Sequence, residues 1–210
     1  MERPGLRELK RARTRNQIAQ TAMRLFAERG FDGVTVAAVA AGAEVSEATV
    51  FNYFGAKEEL FFAGMEAFEV ELVAAVRDRR KGQSVLDAFR DVLVERSRGF
   101  ATRDDARGAA LGARLISESA SLRRRELEIV ADHTKTLAEI LAAETEATDR
   151  DVRPFVVANA LMGVHRALID LVRRLAVEGE SAAEIGFAVT EQAELGLAAL
   201  HEGLGDYGSR

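Results

Sequence analysis

Between Ser46 and Leu60 the chain reads SEATVFNYFGAKEEL. On a helix, at 100° per residue, Val50 and Phe54 fall on one side and Ala48, Thr49, Asn52 and Tyr53 on the other. The second side offers a methyl, a hydroxyl, an amide and a phenol. Small side chains let a backbone approach the major groove of a duplex, Thr and Tyr can bond phosphates, and Asn can read a base edge, most often adenine. Lys57 adds a positive charge beside the same surface. No set of residues points as clearly to catalysis. None of His133, His165 or His201 follows a Glu by three residues, as bundle di-iron sites require, and no His-Glu-x-x-His is present. No nucleophile-elbow serine or phosphate-cradling glycine loop occurs. The chain has no cysteine, which removes disulfides and thiolate metal sites. No catalytic residue, metal or cofactor is expected.

The elements that must position this face are helices. From Arg13, Ile18, Ala22, Leu25 and Phe26 form one apolar stripe, which Gly30 ends. Thr35 is placed to cap a second short helix to about Gly42, and Ser46 to cap a third to Phe54. Three or four residues join the last two, the spacing of a helix-turn-helix. Further helical stretches run at about 57–80, 84–101, 104–117, 122–145, 154–178 and 181–202, with Pro154 suited to a first turn. The expected fold is all-α, a three-helix N-terminal head carrying the helix-turn-helix and a helical C-terminal body of about six helices. The expected divisions are a basic flexible arm at 1–12, a helix-turn-helix DNA-binding domain at 13–56, a helical body at 57–202, to which only a family resemblance assigns ligand binding and dimerisation, and a tail at 203–210.

The net charge of −5 argues at first against a nucleic acid partner. The average hides a split. Residues 1–31 carry eight basic and three acidic side chains, or +5, and the remainder carries −10. A basic head on an acidic body fits a protein that touches DNA at one end. No apolar run reads as a membrane span, and the start, MERPGLRELKRARTR, is too charged for a signal peptide. A cytoplasmic, nucleoid-associated protein without a membrane partner is the expectation.

Residues 13–60 resemble the DNA-binding domain of the TetR family of bacterial transcriptional regulators. The resemblance rests on RLFAERGFDGVTV at 24–36, VTVAAVAAGAEV at 34–45 and SEATVFNYFGAKEEL at 46–60. It covers about a quarter of the chain. It implies phosphate contacts from Thr35, Thr49, Tyr53 and Lys57, and base contacts from Glu47, Ala48, Phe51 and Asn52. Arg11, Arg13 and Arg15 would reach adjacent phosphates or the minor groove. Phe51 can equally be half-buried packing, and Ser46 serves better as a cap than as a ligand. Two positions depart from the family pattern. Glu44 stands where Gly is usual in the turn, and Glu47 brings a carboxylate to the groove, where it can accept from a cytosine amino group.

The resemblance also implies a repressor acting as a homodimer, released by a small-molecule effector. Residues 154–178 are apolar on nearly every side, and 181–202 carries Ala182, Ala183, Gly186, Ala193, Gly196 and Ala199, which permit close helix approach. These two helices can meet their copies, or pack only within one chain. Candidate effector contacts are Phe89, Leu93, Phe100, Arg114, Leu115, His133, Leu137, Phe155, Asn159, Met162 and His165. Arg114 can instead serve an internal ion pair. Asn159 and His165 stand out as polar groups in an apolar helix, where unpaired polar atoms are costly.

Overall fold

The structure, a computed structural model, describes residues 5–98 and 103–204, and among them it places nine α-helices and no strand. They are α1 (Leu6–Arg29), α2 (Val36–Gly42), α3 (Glu47–Tyr53), α4 (Lys57–Arg77), α5 (Val85–Arg98), α6 (Arg103–Glu118), α7 (Ala120–Glu144), α8 (Arg153–Glu178) and α9 (Ala182–Leu204). The all-α expectation holds, with boundaries mostly within a turn of those read from sequence. The arm is the exception. Helix α1 begins at Leu6, so most of the segment expected to be flexible is helical; from Leu6 to Arg29 no Gly or Pro interrupts a run rich in Leu, Arg, Lys and Ala.

A second correction concerns α8. By length and composition it is apolar enough to cross a bilayer, although Arg166 and Asp170 interrupt its apolar run. Its buried residues include Val157, Ala158, Leu161, Met162 and Leu168, and it packs on α9 and α5. A core helix of a globular protein meets the same length and composition test.

The described residues form two compact units, one drawn from residues 1–66 with 115–125, the other from 67–114 with 126–210. The division differs from a cut at residue 56. The first turns of α4, and the corner where α6 ends and α7 begins, belong to the first unit. There Leu115 and Leu122 are fully buried, and Ser119 Oγ donates to the Asp32 carboxylate at 3.0 Å. The core of this unit is phenylalanine-rich. Phe26 and Phe31 stack at 4.9 Å between ring centres, and Phe31, Phe61 and Phe62 follow edge to face. Gly42 brings the end of α2 against α1; a Cβ there would lie 2.9 Å from Thr21 Cγ2.

In the second unit α5, α8 and α9 enclose an aliphatic core running from Leu72 through Phe89, Leu137 and Leu161 to Leu197. Gly196 lets α9 approach α8, its Cβ position lying 3.2 Å from Val164 Cγ1. A buried ion pair, Arg79 to Glu144 at 2.7 Å, ties the residues just after α4 to the end of α7. Asp151 accepts from the Arg153 backbone and guanidinium ahead of α8, and those bonds hold its carboxyl down at about 2.

The turn between α2 and α3 is strained at Glu44, where the resembled family usually has Gly. Glu44 has φ 56°, in the left-handed region that disfavours a side chain bearing Cβ. Its side chain is exposed. Replacement by Gly relieves about 1–2 kcal/mol of backbone strain, less about 0.5–1 kcal/mol for the extra freedom of an unfolded glycine. Glu44→Gly is therefore expected to raise the thermal midpoint by roughly 1–4 °C. Circular dichroism melts decide the matter, and an unchanged or lower midpoint removes the strain argument.

Candidate nucleic-acid interface

Helix α3 has seven residues, too few to hold itself together in water. Its N-terminus is closed by Ser46, whose Oγ accepts from the Thr49 backbone at 3.1 Å and lies 2.8 Å from the Thr49 hydroxyl. Val50 and, just beyond the helix, Phe54 are buried. Its C-terminal end depends on α1. Arg15 Nη1 donates to the Tyr53 carbonyl at 2.9 Å, and the same guanidinium lies 4.4 Å from the centre of the Phe54 ring. Gln17, also on α1, donates to the Ala43 carbonyl at the end of α2.

With those sides occupied, Glu47, Ala48, Phe51 and Asn52 face solvent together, Phe51 at 50% exposure. Thr49 and Tyr53 are half-buried at its margins, and Arg11 reaches over the Tyr53 ring. Arg13, on the same helix, is exposed. Thr35 is exposed, and its hydroxyl accepts from the Ala38 backbone, capping α2 as expected. The outward face of α3 presents a methyl, an aromatic ring, an amide and a carboxylate. Asn52 can both donate to and accept from a base edge, and Glu47 can only accept when ionised.

Two residues expected at phosphates are engaged within the chain. Lys57 Nζ donates to the carbonyls of Phe31 and Val34, each at 3.1 Å, and sits 4.1 Å from the centre of the Phe31 ring. Two of its three donors are thus occupied in closing the α1–α2 turn. Arg15 is likewise committed to the end of α3. Sequence reasoning missed both roles because their partners lie 26 and 38 residues away.

Comparison with known proteins sharpens this picture. Residues 18–63 match the family model described as bacterial regulatory proteins, tetR family, which spans the second half of α1 through the first turns of α4. The chain is 34% identical over 161 residues to the HTH-type transcriptional regulator TcmR of Streptomyces glaucescens, covering 74% of this chain and 71% of that protein. The chain belongs to the TetR family. As a member it is a transcriptional regulator and not an enzyme. It is also 38% identical over 80 residues to the regulator BetI of Burkholderia ambifaria, a match that covers 39% of BetI. Among solved structures, FadR of Bacillus halodurans shares its fold with a TM-score of 0.55 at 18% identity, covering 95% of this chain and 98% of that one.

The effector candidates of this TetR-family regulator separate into several groups. Phe89, Leu93, Leu137 and Met162 are buried in the core of the second unit. Leu115 is fully buried but in the first unit, and Arg114 beside it is exposed. Phe155 is 56% exposed and Asn159 is exposed, its amide donating to the Phe155 carbonyl at 2.7 Å. Those two therefore face outward, and the Asn159 amide has its partner on its own helix. Phe100 lies outside the described residues. His133 and His165 are brought together around Glu69, a residue the sequence reading passed over although it shares a helical face with Leu72, Val73 and Val76.

The basic residues of α1 now divide by role. Arg15→Ala is expected to lower the stability of the DNA-binding unit by about 1–3 kcal/mol through the lost charged hydrogen bond, visible as an earlier melt. Arg11→Ala and Arg13→Ala are expected to leave the melt unchanged. Each of these two should lower the slope of log affinity for DNA against log salt by about 1. Equal melts for all three variants, or unchanged slopes for the last two, contradict the division.

Proposed function

We propose that this regulator is a repressor that binds a palindromic operator as a homodimer and lets go when its helical body holds a small effector. The exposed face of α3 carries the reading. Its small and polar groups are held outward by caps and packing at both ends, so a groove meets a rigid surface. Glu47, Ala48, Phe51 and Asn52 read or abut bases, while Thr35, Thr49, Tyr53, Arg11 and Arg13 contact the backbone. Lys57 keeps one donor for a phosphate beyond the two it spends internally. Arg15 acts by positioning α3.

One helix-turn-helix contacts few base pairs, and pairing two copies doubles the sequence that is read. Support for the pairing comes from α8 and α9. Phe155 and Val156 on α8, and Phe187 and Leu195 on α9, stand in solvent, Phe187 at 73% exposure. Gly163, with open space around its Cβ position, and Ala167 leave room on α8 for a second helix. Such an apolar surface on one chain fits a contact with its copy. Of the small residues on α9, Ala182, Ala193 and Gly196 serve packing within the chain, and Ala183 and Ala199 remain exposed. NalD of Pseudomonas aeruginosa, of the same fold at 20% identity and a TM-score of 0.55, is the secondary repressor of the MexAB-OprM multidrug efflux pump. An effector relieves repression only by binding more tightly to the conformation that fits the operator worse. Action on DNA places the protein in the bacterial cytoplasm, at the nucleoid.

Selection from random duplexes with the full chain is expected to enrich two inverted half-sites. Asn52→Ala should relax one base pair in each half-site at a cost of about 1–3 kcal/mol, and Glu47→Gln should relax a cytosine position. Sedimentation should show a dimer at micromolar concentration that Phe187→Glu weakens. No enrichment, a consensus without inverted symmetry, or a monomer at that concentration overturns the corresponding part of the reading.

A further inference from the structure

Glu69 on α4 is 2% exposed and His165 on α8 is 3% exposed, both within the second unit. They face each other without bonding, Glu69 Oε1 lying 3.8 Å from His165 Nε2. His133 on α7 stands on the other side, its Nδ1 3.3 Å from Glu69 Oε2. That nitrogen also lies 2.8 Å from the Ile129 carbonyl. A carbonyl can only accept, so Nδ1 carries the proton and directs it there. Glu69 Oε2 and His165 Nε2 are consequently buried with no hydrogen-bond partner among the described residues. Around them the wall is apolar: Leu72 and Val73 one turn along α4, Leu161 and Met162 one turn back on α8, and the Phe68 ring edge-on to His165 at 5.4 Å.

Interiors rarely leave buried polar atoms unbonded, and two in one cluster mark a place where another group completes the set. The chemistry narrows that group. Glu69 Oε2 needs a donor, and His165 Nε2 needs an acceptor when it carries the ring proton and a donor when it does not. A hydroxyl is both. A carboxylate or phosphate offers no donor and is repelled by Glu69. A cation would enter beside the Arg96 guanidinium, which already lies 5.3 Å from the centre of the Phe68 ring. Resting on the reading of this chain as effector-responsive, we propose that Glu69 and His165 form the polar end of the effector site and bind the hydroxyl of a neutral, otherwise apolar ligand of the phenol class. The described residues include no group of three acidic or His side chains placed to hold a metal, so the cluster is read as a hydrogen-bonding site.

The test uses the full-length protein and four probes that share one ring system: 2-naphthol, naphthalene, 2-naphthoate and 2-naphthylmethylammonium. Calorimetry and thermal shift should show 2-naphthol binding about tenfold or more tighter than naphthalene, the worth of one charge-assisted hydrogen bond. Glu69→Gln and His165→Phe should bind 2-naphthol no better than naphthalene, while keeping a cooperative melt and wild-type affinity for the selected DNA. Failure of 2-naphthol to bind overturns the proposal. So does equal binding by the variants, or a preference for the carboxylate or the ammonium. If 2-naphthol binds as expected but leaves the DNA complex intact, the hydroxyl site stands and the effector reading falls. Absence of any sequence-specific DNA complex sinks the repressor reading without touching the site.

Discussion

Everything in the DNA-binding unit follows from the shortness of its reading helix. A seven-residue helix has nearly all its backbone groups at an end, where the helix itself supplies no partner. Ser46 closes the N-terminal side of α3. The carbonyl side is closed from outside the motif, by Arg15 on Tyr53, with Gln17 doing the same for Ala43 at the end of α2. Lys57 closes the preceding turn through Phe31 and Val34. All three donors come from the long helices α1 and α4, which are stable enough to hold a side chain still. The exposed face of α3 is rigid because those side chains are spent inside.

That allocation changes how the charge of the chain acts on DNA. The outward face of α3 carries Glu47 and no cation. On the proposed reading, attraction to phosphate comes from its flanks, where Arg11 and Arg13 are exposed on an α1 that begins at Leu6. A helical basic segment fixes the spacing of its charges, whereas a disordered arm would search many positions. The body is acidic, so loose binding to arbitrary duplexes is opposed and a larger share of affinity falls to contacts that depend on sequence.

What could be read from the sequence was local. Thr35 and Ser46 precede their helices by one residue, and a cap is a short-range bond, so both were legible. Glu44 was legible only through the family resemblance, as a departure from the glycine usual at that place in the turn, and its φ is positive. Arg15 and Lys57 were not, because a long basic side chain near a DNA-binding motif looks the same whether it meets a phosphate or a carbonyl 26 or 38 residues away. The faces of α8 were hidden by its composition. With apolar residues on every side, no periodicity distinguishes Asn159, which is exposed, from His165, which is buried. Arg114 and Leu115 are adjacent in the chain, yet one is exposed and the other lies in the core of the DNA-binding unit. Only the tertiary return of residues 115–125 separates them.

Two buried carboxylates in the same unit show what burial alone does not explain. Glu144 is joined to Arg79 at 2.7 Å, and the pair closes an end of α7. Removing either partner there would leave a charge stranded, so the pair maintains itself as structure. Among the described residues Glu69 has no such partner: the imidazole nitrogens beside it stand at 3.3 and 3.8 Å, one with its proton directed to a carbonyl and the other unbonded. An aliphatic side chain at residue 69 would pack against Leu72 and Val73 without any desolvation cost, and stability alone would favour it. The chain instead holds an acid between two imidazoles, contributed by three helices, α4, α7 and α8. Elements that converge on a costly and incomplete polar cluster gain from whatever completes it, and a molecule that does so favours the arrangement of α4, α7 and α8 in which all its bonds can form. That differential is what a binding event needs in order to shift a conformational balance.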